Sequence, residues 1–350
     1  MQAREYWWYD SPVLVYGRAA SLFFLNTKGT PRRVFLYGIG NMKTKIWIAL
    51  LAIYIIWGST YLAIRLAVET IPPFMMAGTR FLISGTILFV WRRLAGEPLP
   101  TARQWRSAAI VGLLLLLGGN GLVSWAEQRV ASGIAALIIG VVPLFMVIIE
   151  ALRRQGSKPG WQSILGLVIG FGGIALLVGP SEFGGNGMQF SLLAIGALLL
   201  AALLWSIGSV YSRTADLPAS SLMGTGMEML CGGIGLYLTA TLVGEWKVFH
   251  ISAITHQSWL ALVYLVVFGS MMGFVAYTWL LHHAPVSLVA TYAYVNPVVA
   301  IFLGTWIGHE VLNARTIIAA LVIISSVVLI NTSRQSKIVQ QDETTSPAAE

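Results

Sequence analysis

The chain has 350 residues, 57% of them hydrophobic and only 10% charged, with a mean hydropathy of +0.76. A soluble domain carries about a quarter charged residues, so a soluble enzyme or binding module is excluded and an integral membrane protein is expected. The net charge of +8 would direct a soluble chain toward nucleic acid, but these basic residues sit in short segments between apolar runs, where they set orientation and leave nucleic acid out as a partner.

Residues 1–41 differ in character from the rest of the chain. They are rich in aromatics but broken by Asp10, Pro12, Arg18, Gly29, Pro31, Arg32 and Arg33, and the apolar run 19–25 is too short to span a bilayer. Met42-Lys-Thr-Lys45 then leads straight into a spanning run, which makes Met42 the expected start and 1–41 an extension from an upstream codon or an interfacial segment. From Ile46 onward, apolar runs recur near 46–67, 74–91, 107–126, 131–150, 161–178, 190–211, 220–243, 258–280, 286–307 and 315–331, which predicts ten spans. Residues 334–350 are polar and read as a disordered tail. Twelve Lys and Arg residues flank the ends shared by both termini, among them Lys43, Arg92, Arg103, Arg153, Arg213 and Arg334. Arg129, Lys247 and Arg315 alone flank the other ends, so both termini are expected in the cytoplasm. Cys231 is the single cysteine, and no intrachain disulfide can form.

Charges inside the spans are few, and each costs at least about 2–3 kcal/mol at the bilayer centre unless paired or wet. Arg80 and Glu127, with Arg65, fall toward one face of the membrane and are expected to neutralise each other, statically or as part of a coupling path. Glu228 stands about eight residues into its span with no basic residue nearby in sequence. A carboxyl group sunk there is suited to carry a proton, the one coupling partner the sequence offers, or to be a structural acid. Span three holds Asn120, Ser124, Trp125, Glu127 and Gln128 within a broad polar stripe. Trp125, Tyr277 and Trp279 also fit membrane-interface positions. The run from Pro285 to Ile307 gathers Tyr292, Tyr294, Asn296 and Pro297. Tyr292 and Asn296 share one face, and Asn296 lies roughly 15 Å deep. Pro297 cannot donate its backbone hydrogen bond and frees a carbonyl one turn earlier. Hydrocarbon satisfies none of these groups, so they face either another helix across a kink or a solute cavity.

The second half echoes the first. At an offset of 148, Trp57, Arg65, Met75, Gly78 and Gly85 match Trp205, Arg213, Met223, Gly226 and Gly233. At 154, Ala136, Val141 and Pro143 match Ala290, Val295 and Pro297. Each half holds five spans, an odd number, so the second copy enters from the opposite face. Such an inverted repeat lets two halves rock about a site near the midplane. The expected fold is therefore an all-α integral membrane protein with ten transmembrane helices as two inverted five-helix repeats, at 42–180 and 181–333. Trp57 and Trp205, a repeat-related pair, could each line a cavity.

These residues carry a resemblance. Trp57-Gly-Ser-Thr-Tyr61, Ala77-Gly-Thr-Arg-Phe81, Asn120-Gly-Leu-Val-Ser-Trp-Ala-Glu-Gln128, Ser132-Gly-Ile-Ala-Ala136, Val142-Pro-Leu-Phe145, Ala290-Thr-Tyr-Ala-Tyr-Val-Asn-Pro-Val298 and Gly308-His-Glu310 are similar to the EamA-type branch of the drug/metabolite transporter superfamily. The resemblance covers nearly all of Met42 to Asn331. It implies ten helices, a bacterial inner membrane and export of small metabolites or amphipathic compounds. One departure is that Glu310, thirteen residues after Pro297, has Gly156 as its counterpart in the first half.

Other classes fare worse. No Walker A sequence or nucleotide domain occurs, no Ser–His or His-Glu-x-x-His arrangement supports a protease, and the isolated Asp10, Asp216 and Asp342 cannot hold a magnesium diphosphate for a membrane transferase. No metal or other cofactor is expected. The function expected is secondary transport of a small molecule, with a passive channel as the alternative. Asn120, Trp125, Gln128, Tyr292, Tyr294 and Asn296 are the expected substrate contacts, and Glu127, Glu228 and Arg80 the expected intramembrane charges.

Overall fold

The computed structural model describes residues 23–25, 31–33, 39–152, 160–178, 192–284, 286–289 and 291–345. The chain divides into two compact units, 1–45 and 46–350. The first contains β1 (Phe23–Leu25) and β2 (Pro31–Arg33), paired antiparallel with Phe24 opposite Arg32. An all-α expectation did not foresee this element. Its signal is the Phe23-Phe24-Leu25 run followed by Gly29 and Pro31, aromatic strand formers and then hairpin punctuation.

The rest is helical. The helices are α1 (Ile39–Ala67), α2 (Pro73–Leu94), α3 (Ala102–Ala126), α4 (Ser132–Ile139), α5 (Val142–Leu152), α6 (Trp161–Val178), α7 (Leu192–Ser212), α8 (Ser221–Leu242), α9 (His256–Leu280), α10 (Val286–Val289), α11 (Tyr292–Trp306) and α12 (Ala314–Thr345). Six stretches are long and apolar enough to cross a membrane, namely Met42–Ala67, Pro73–Leu94, Ala102–Ala126, Ser132–Ile149, Leu192–Ser212 and His256–Leu280. The remaining predicted runs fall on shorter or more polar helices, α6, α8, α11 and α12.

Local chemistry sets the boundaries. Pro73 opens α2, where its missing N–H costs nothing. Thr101 and Gln104 cap α3 reciprocally, the Thr101 hydroxyl accepting from Gln104 N at 3.3 Å and the Gln104 side chain from Thr101 N at 2.9 Å. The predicted span 131–150 divides at Gly140 into α4 and α5, just before Pro143. The predicted span 286–307 divides at 290–291, while Pro297 lies inside α11. The break thus falls several residues before the proline that signals it. α12 runs on through Thr345, so the tail expected to be disordered from 334 is helical to that point. Gln, Lys, Arg and Glu are good helix formers, and extending an existing helix avoids the cost of nucleation.

Two stretches depart from α geometry. Leu113–Gly121 in α3 and Leu265–Met272 in α9 are wound in wide, five-residue turns. Such turns free backbone carbonyls and often lie at functional sites.

Packing pairs α2 with α8, α6 with α12, α4 with α11, and α3 with α7 and α8. The α2–α8 seam is a backbone contact. A Cβ added to Gly85 would lie 2.9 Å from the Gly226 carbonyl oxygen and 2.8 Å from Met229 Cβ, so only glycine admits this approach.

Candidate functional site

Trp57 on α1 stands at the centre of an aromatic cluster. Its ring centroid lies 5.9 Å from Trp205, 5.2 Å from Phe274, 4.9 Å from Tyr277 and 5.4 Å from Tyr292. Four of the contacts in this cluster, including Tyr277 on Tyr292, are edge-to-face, the arrangement ring quadrupoles favour. The indole Nε1 of Trp57 donates to the Gly269 carbonyl at 3.2 Å, in the wide-turn stretch of α9. Gly119, in the wide-turn stretch of α3, makes room for Trp205: a Cβ there would lie 2.8 Å from the Trp205 ring. Both distorted stretches therefore serve the same cluster.

Against it lies a narrow cavity of about 60 Å³, bordered by Thr60, Tyr61, Ile64, Arg80, Asn120, Val123, Asn296 and the rings of Trp57, Trp205, Phe274 and Tyr292. It is smaller than the pockets that hold small organic molecules, so a solute would enter only if the rings part. Asn120 Nδ2 donates to the Leu115 carbonyl at 3.4 Å, five residues back in the wide turn. Asn296 is 3% exposed, and with its amide oriented to suit the surrounding carbonyls its Nδ2 donates to those of Tyr292 and Tyr54, each at 3.2 Å. Its amide thus ties α11 to α1 while its side chain borders the cavity.

A second cavity, of about 420 Å³, lies on the other side of the rings. It is bordered by Ser209, Arg213, Thr225, Glu228, Phe274 and Tyr277, and reaches the 213–221 turn. Glu228 is 8% exposed on its wall. Phe274 borders both cavities, so the aromatic cluster stands between them.

The expected residues separate into three places. Asn120, Tyr292, Asn296 and Arg80 meet at the first cavity, and Glu228 lies at the second. Trp125 and Gln128 border neither, but line a groove beside the 68–73 and 243–248 turns, where the Arg129 guanidinium lies 4.2 Å over the Trp125 ring. The Tyr294 side chain lies outside the described residues. Glu127 is fully buried, and neither carboxylate oxygen has a hydrogen-bond partner among the described residues. Arg65 reaches its backbone, Nη1 donating to the Glu127 carbonyl at 2.5 Å. Among the described residues no ion pair joins Glu127 to Arg65 or Arg80, which differs from the expected neutral pair.

Thr60, Tyr61, Ile64 and Phe274 were not singled out from the sequence. The signal was the stripe Trp57, Thr60, Tyr61, Ile64, one helix face at spacings of three and four. Tyr277 had fitted a membrane interface but is 4% exposed inside the cluster. Two acids, Glu245, not singled out in the sequence, and Glu310, named there without this role, cap helices across the fold. Glu245 accepts from the backbone N–H groups of Phe74 at 3.0 Å and Met75 at 2.8 Å, at the start of α2. Glu310 accepts from Ser132 N at 2.7 Å and Gly133 N at 3.2 Å, at the start of α4. Each satisfies two N–H groups that a helix start leaves unpaired.

The sequence model of the EamA-like transporter family matches residues 44–179 and again 192–332. The chain belongs to that family. The transporter is 42% identical over 284 residues to a protein of Escherichia coli K12 named as the inner membrane transporter YedA, covering 81% of this chain and 89% of that one. It is 25% identical to the transporter YoaV of Bacillus subtilis, over 80% of this chain and 94% of that one. A protein crystal structure 20% identical in sequence superposes with a TM-score of 0.59, covering 84% of this chain and 98% of its own, a likeness of fold.

Proposed function

We propose that this EamA-like transporter is a secondary carrier of the bacterial inner membrane that exports small metabolites, amino acids or amphipathic drugs by alternating access. It is not an enzyme. Its ten spans form two inverted five-span repeats, 42–180 and 181–333, with both termini in the cytoplasm. The observation that carries this reading is the narrow aromatic and amide-lined cavity of about 60 Å³ between helices of the two halves, separated by a layer of rings from a larger second cavity that reaches one end of the bundle. Rings that part in one state and close in the other would pass a solute without opening a continuous pore.

The contacts at the α2–α8 seam support the inverted repeat. Gly78 lies against Gly233, and Gly85 against Gly226. Advancing the first contact by the repeat offset of 148 returns the second. The order of the pairs is antiparallel, as a two-fold axis across the helices requires. The wide-turn stretches fall on the third span of each half, and the Glu245 cap has a counterpart in Glu97, 148 residues earlier. The Glu97 carboxylate is bonded by Arg92 and by Ser220, the N-cap of α8. In this reading the larger cavity faces the cytoplasm, and Glu228 on its wall carries a coupling proton.

The test uses the full chain in proteoliposomes, after a resistance screen with metabolites and toxic analogues has chosen a solute. A carrier shows saturable uptake, accelerated when the same solute is preloaded on the far side. Flux that rises linearly and ignores preloading would make the protein a channel.

A further inference from the structure

Among the described residues, Arg80 is the one charged residue bordering the first cavity, and no carboxylate borders it. The guanidinium is 2% exposed. Its Nε donates to Ser270 Oγ at 2.6 Å, and Cζ lies 4.8 Å from the Phe81 ring centroid. The Nη2 edge fits against Gly269, where a Cβ would lie 2.9 Å from it. These contacts fix the plane of the group from one side. An arginine carries five N–H donors, and among the described residues only the Nε donor is taken up by a protein acceptor. No carboxylate among the described residues lies within salt-bridge distance of it. Glu127 acts on it through space without bonding to it.

A buried cation without a bonded counterion is costly, and the guanidinium donors that no protein acceptor takes up are available to a planar anion. The rings of Trp57, Trp205, Phe274 and Tyr292 complete the cavity with apolar surface. We infer that the substrate is an amphipathic organic anion whose carboxylate docks on the Arg80 guanidinium and whose apolar body lies against these rings once they part to admit it. The neutral Asn120 and Asn296 amides, already engaged with backbone carbonyls, leave Arg80 to set the charge preference. The counterpart of Arg80 in the second half is Glu228, on the other cavity, where Arg213 also stands, so the two cavities differ in charge: a lone cation at the first and both signs at the second.

This assignment rests on the carrier reading for its meaning but is tested separately from it. Purified full-length protein is assayed for binding of radiolabelled phenylacetate, with unlabelled phenylacetate, phenylacetamide and phenethylamine as competitors of equal ring and different charge. Phenylacetate is expected to compete about ten-fold or more better than the amide and the amine, the factor that about 1.4 kcal/mol of charge-assisted bonding gives. Arg80→Gln is expected to weaken phenylacetate about ten-fold while leaving phenylacetamide unchanged, and Arg80→Lys to fall between. If Arg80→Gln does not fold, the competition series on the native chain decides alone. Equal competition by the amide or amine, a folded Arg80→Gln with native phenylacetate affinity, or no saturable phenylacetate binding at all overturns the assignment. Counterflow separates the two ideas. Phenylacetate that binds but never shows counterflow refutes the carrier and leaves the anion site. Counterflow of phenylacetamide with no preference for phenylacetate leaves the carrier and refutes the site.

Discussion

Asn296 performs two tasks with one amide. It borders the cavity, and it donates to the carbonyls of Tyr54 and Tyr292, joining α1 to α11. Removing it takes one donor from each carbonyl in a dry place, where each such bond is worth about 1 kcal/mol. Asn296→Ala should therefore lower the melting temperature of the detergent-solubilised protein by a few degrees and weaken transport together. Weak transport with native melting would make the amide a solute contact only, and native behaviour in both assays would remove it from the site. The pairing of Tyr292 with Asn296 was legible in the sequence because four residues make one turn of an ordinary helix. The misplacement of Trp125 and Gln128 has an equally local cause. The helix ends at Ala126, so Gln128 lies in the turn beyond it and Trp125 at its last turn, and a stripe drawn at helical spacing from Asn120 to Gln128 runs past the helix.

At the scale of elements, two acids with the same place in their repeats have opposite electrostatics. Burial holds the Glu245 carboxyl above the usual glutamate range, although the N–H groups of Phe74 and Met75 pull it back. Burial also acts on Glu97, but hydrogen bonds from Arg92 and Ser220 and the charge of Arg92 outweigh it and hold that carboxyl below the range. A raised acid contributes stability that is full below the ordinary range and is lost as pH rises through its own value. A lowered acid contributes stability that is present above the ordinary range and is lost as pH falls through its own value. Melting temperatures measured from about pH 4 to about pH 8 should show this. Glu245→Gln should flatten the decline on the neutral side, and Glu97→Gln the decline on the acid side. Unchanged slopes in both variants would show that neither cap titrates in that window. The sequence did not reveal these caps, because each joins an acid in a turn to a helix start on a distant part of the chain.

For the whole molecule, the apolar runs, the family and the two matched segments were all legible from composition and period. The pairing of β1 with β2 and the helical continuation to Thr345 were not, since both are decided by short-range pairing and helix propagation in polar or mixed sequence. The orientation rests on loop charge: twelve basic residues at one set of ends against three at the other. A reporter that is active only in the periplasm should be silent when fused after Glu350 and active when inserted in the 244–255 turn. Activity of the C-terminal fusion would reverse the orientation.

The glycine seam between α2 and α8 has a mechanical consequence. Helices with side chains interlock like gears and settle into a few preferred angles. Here backbone approaches backbone at two places related by the repeat, with Leu82, Met229 and Tyr237 seated beside the glycines, so the contact resembles a close-fitting bearing with few teeth to hold it at one tilt. In the inverted-repeat reading, the bearing is the same viewed from either face of the membrane and offers equal resistance to tilting in either sense. Any preference for one open state must then come from pairs that the repeat fails to match, Arg80 against Glu228 and Glu310 against Gly156. A solute that neutralises Arg80 would alter that balance directly, so the load itself would help to turn the shaft.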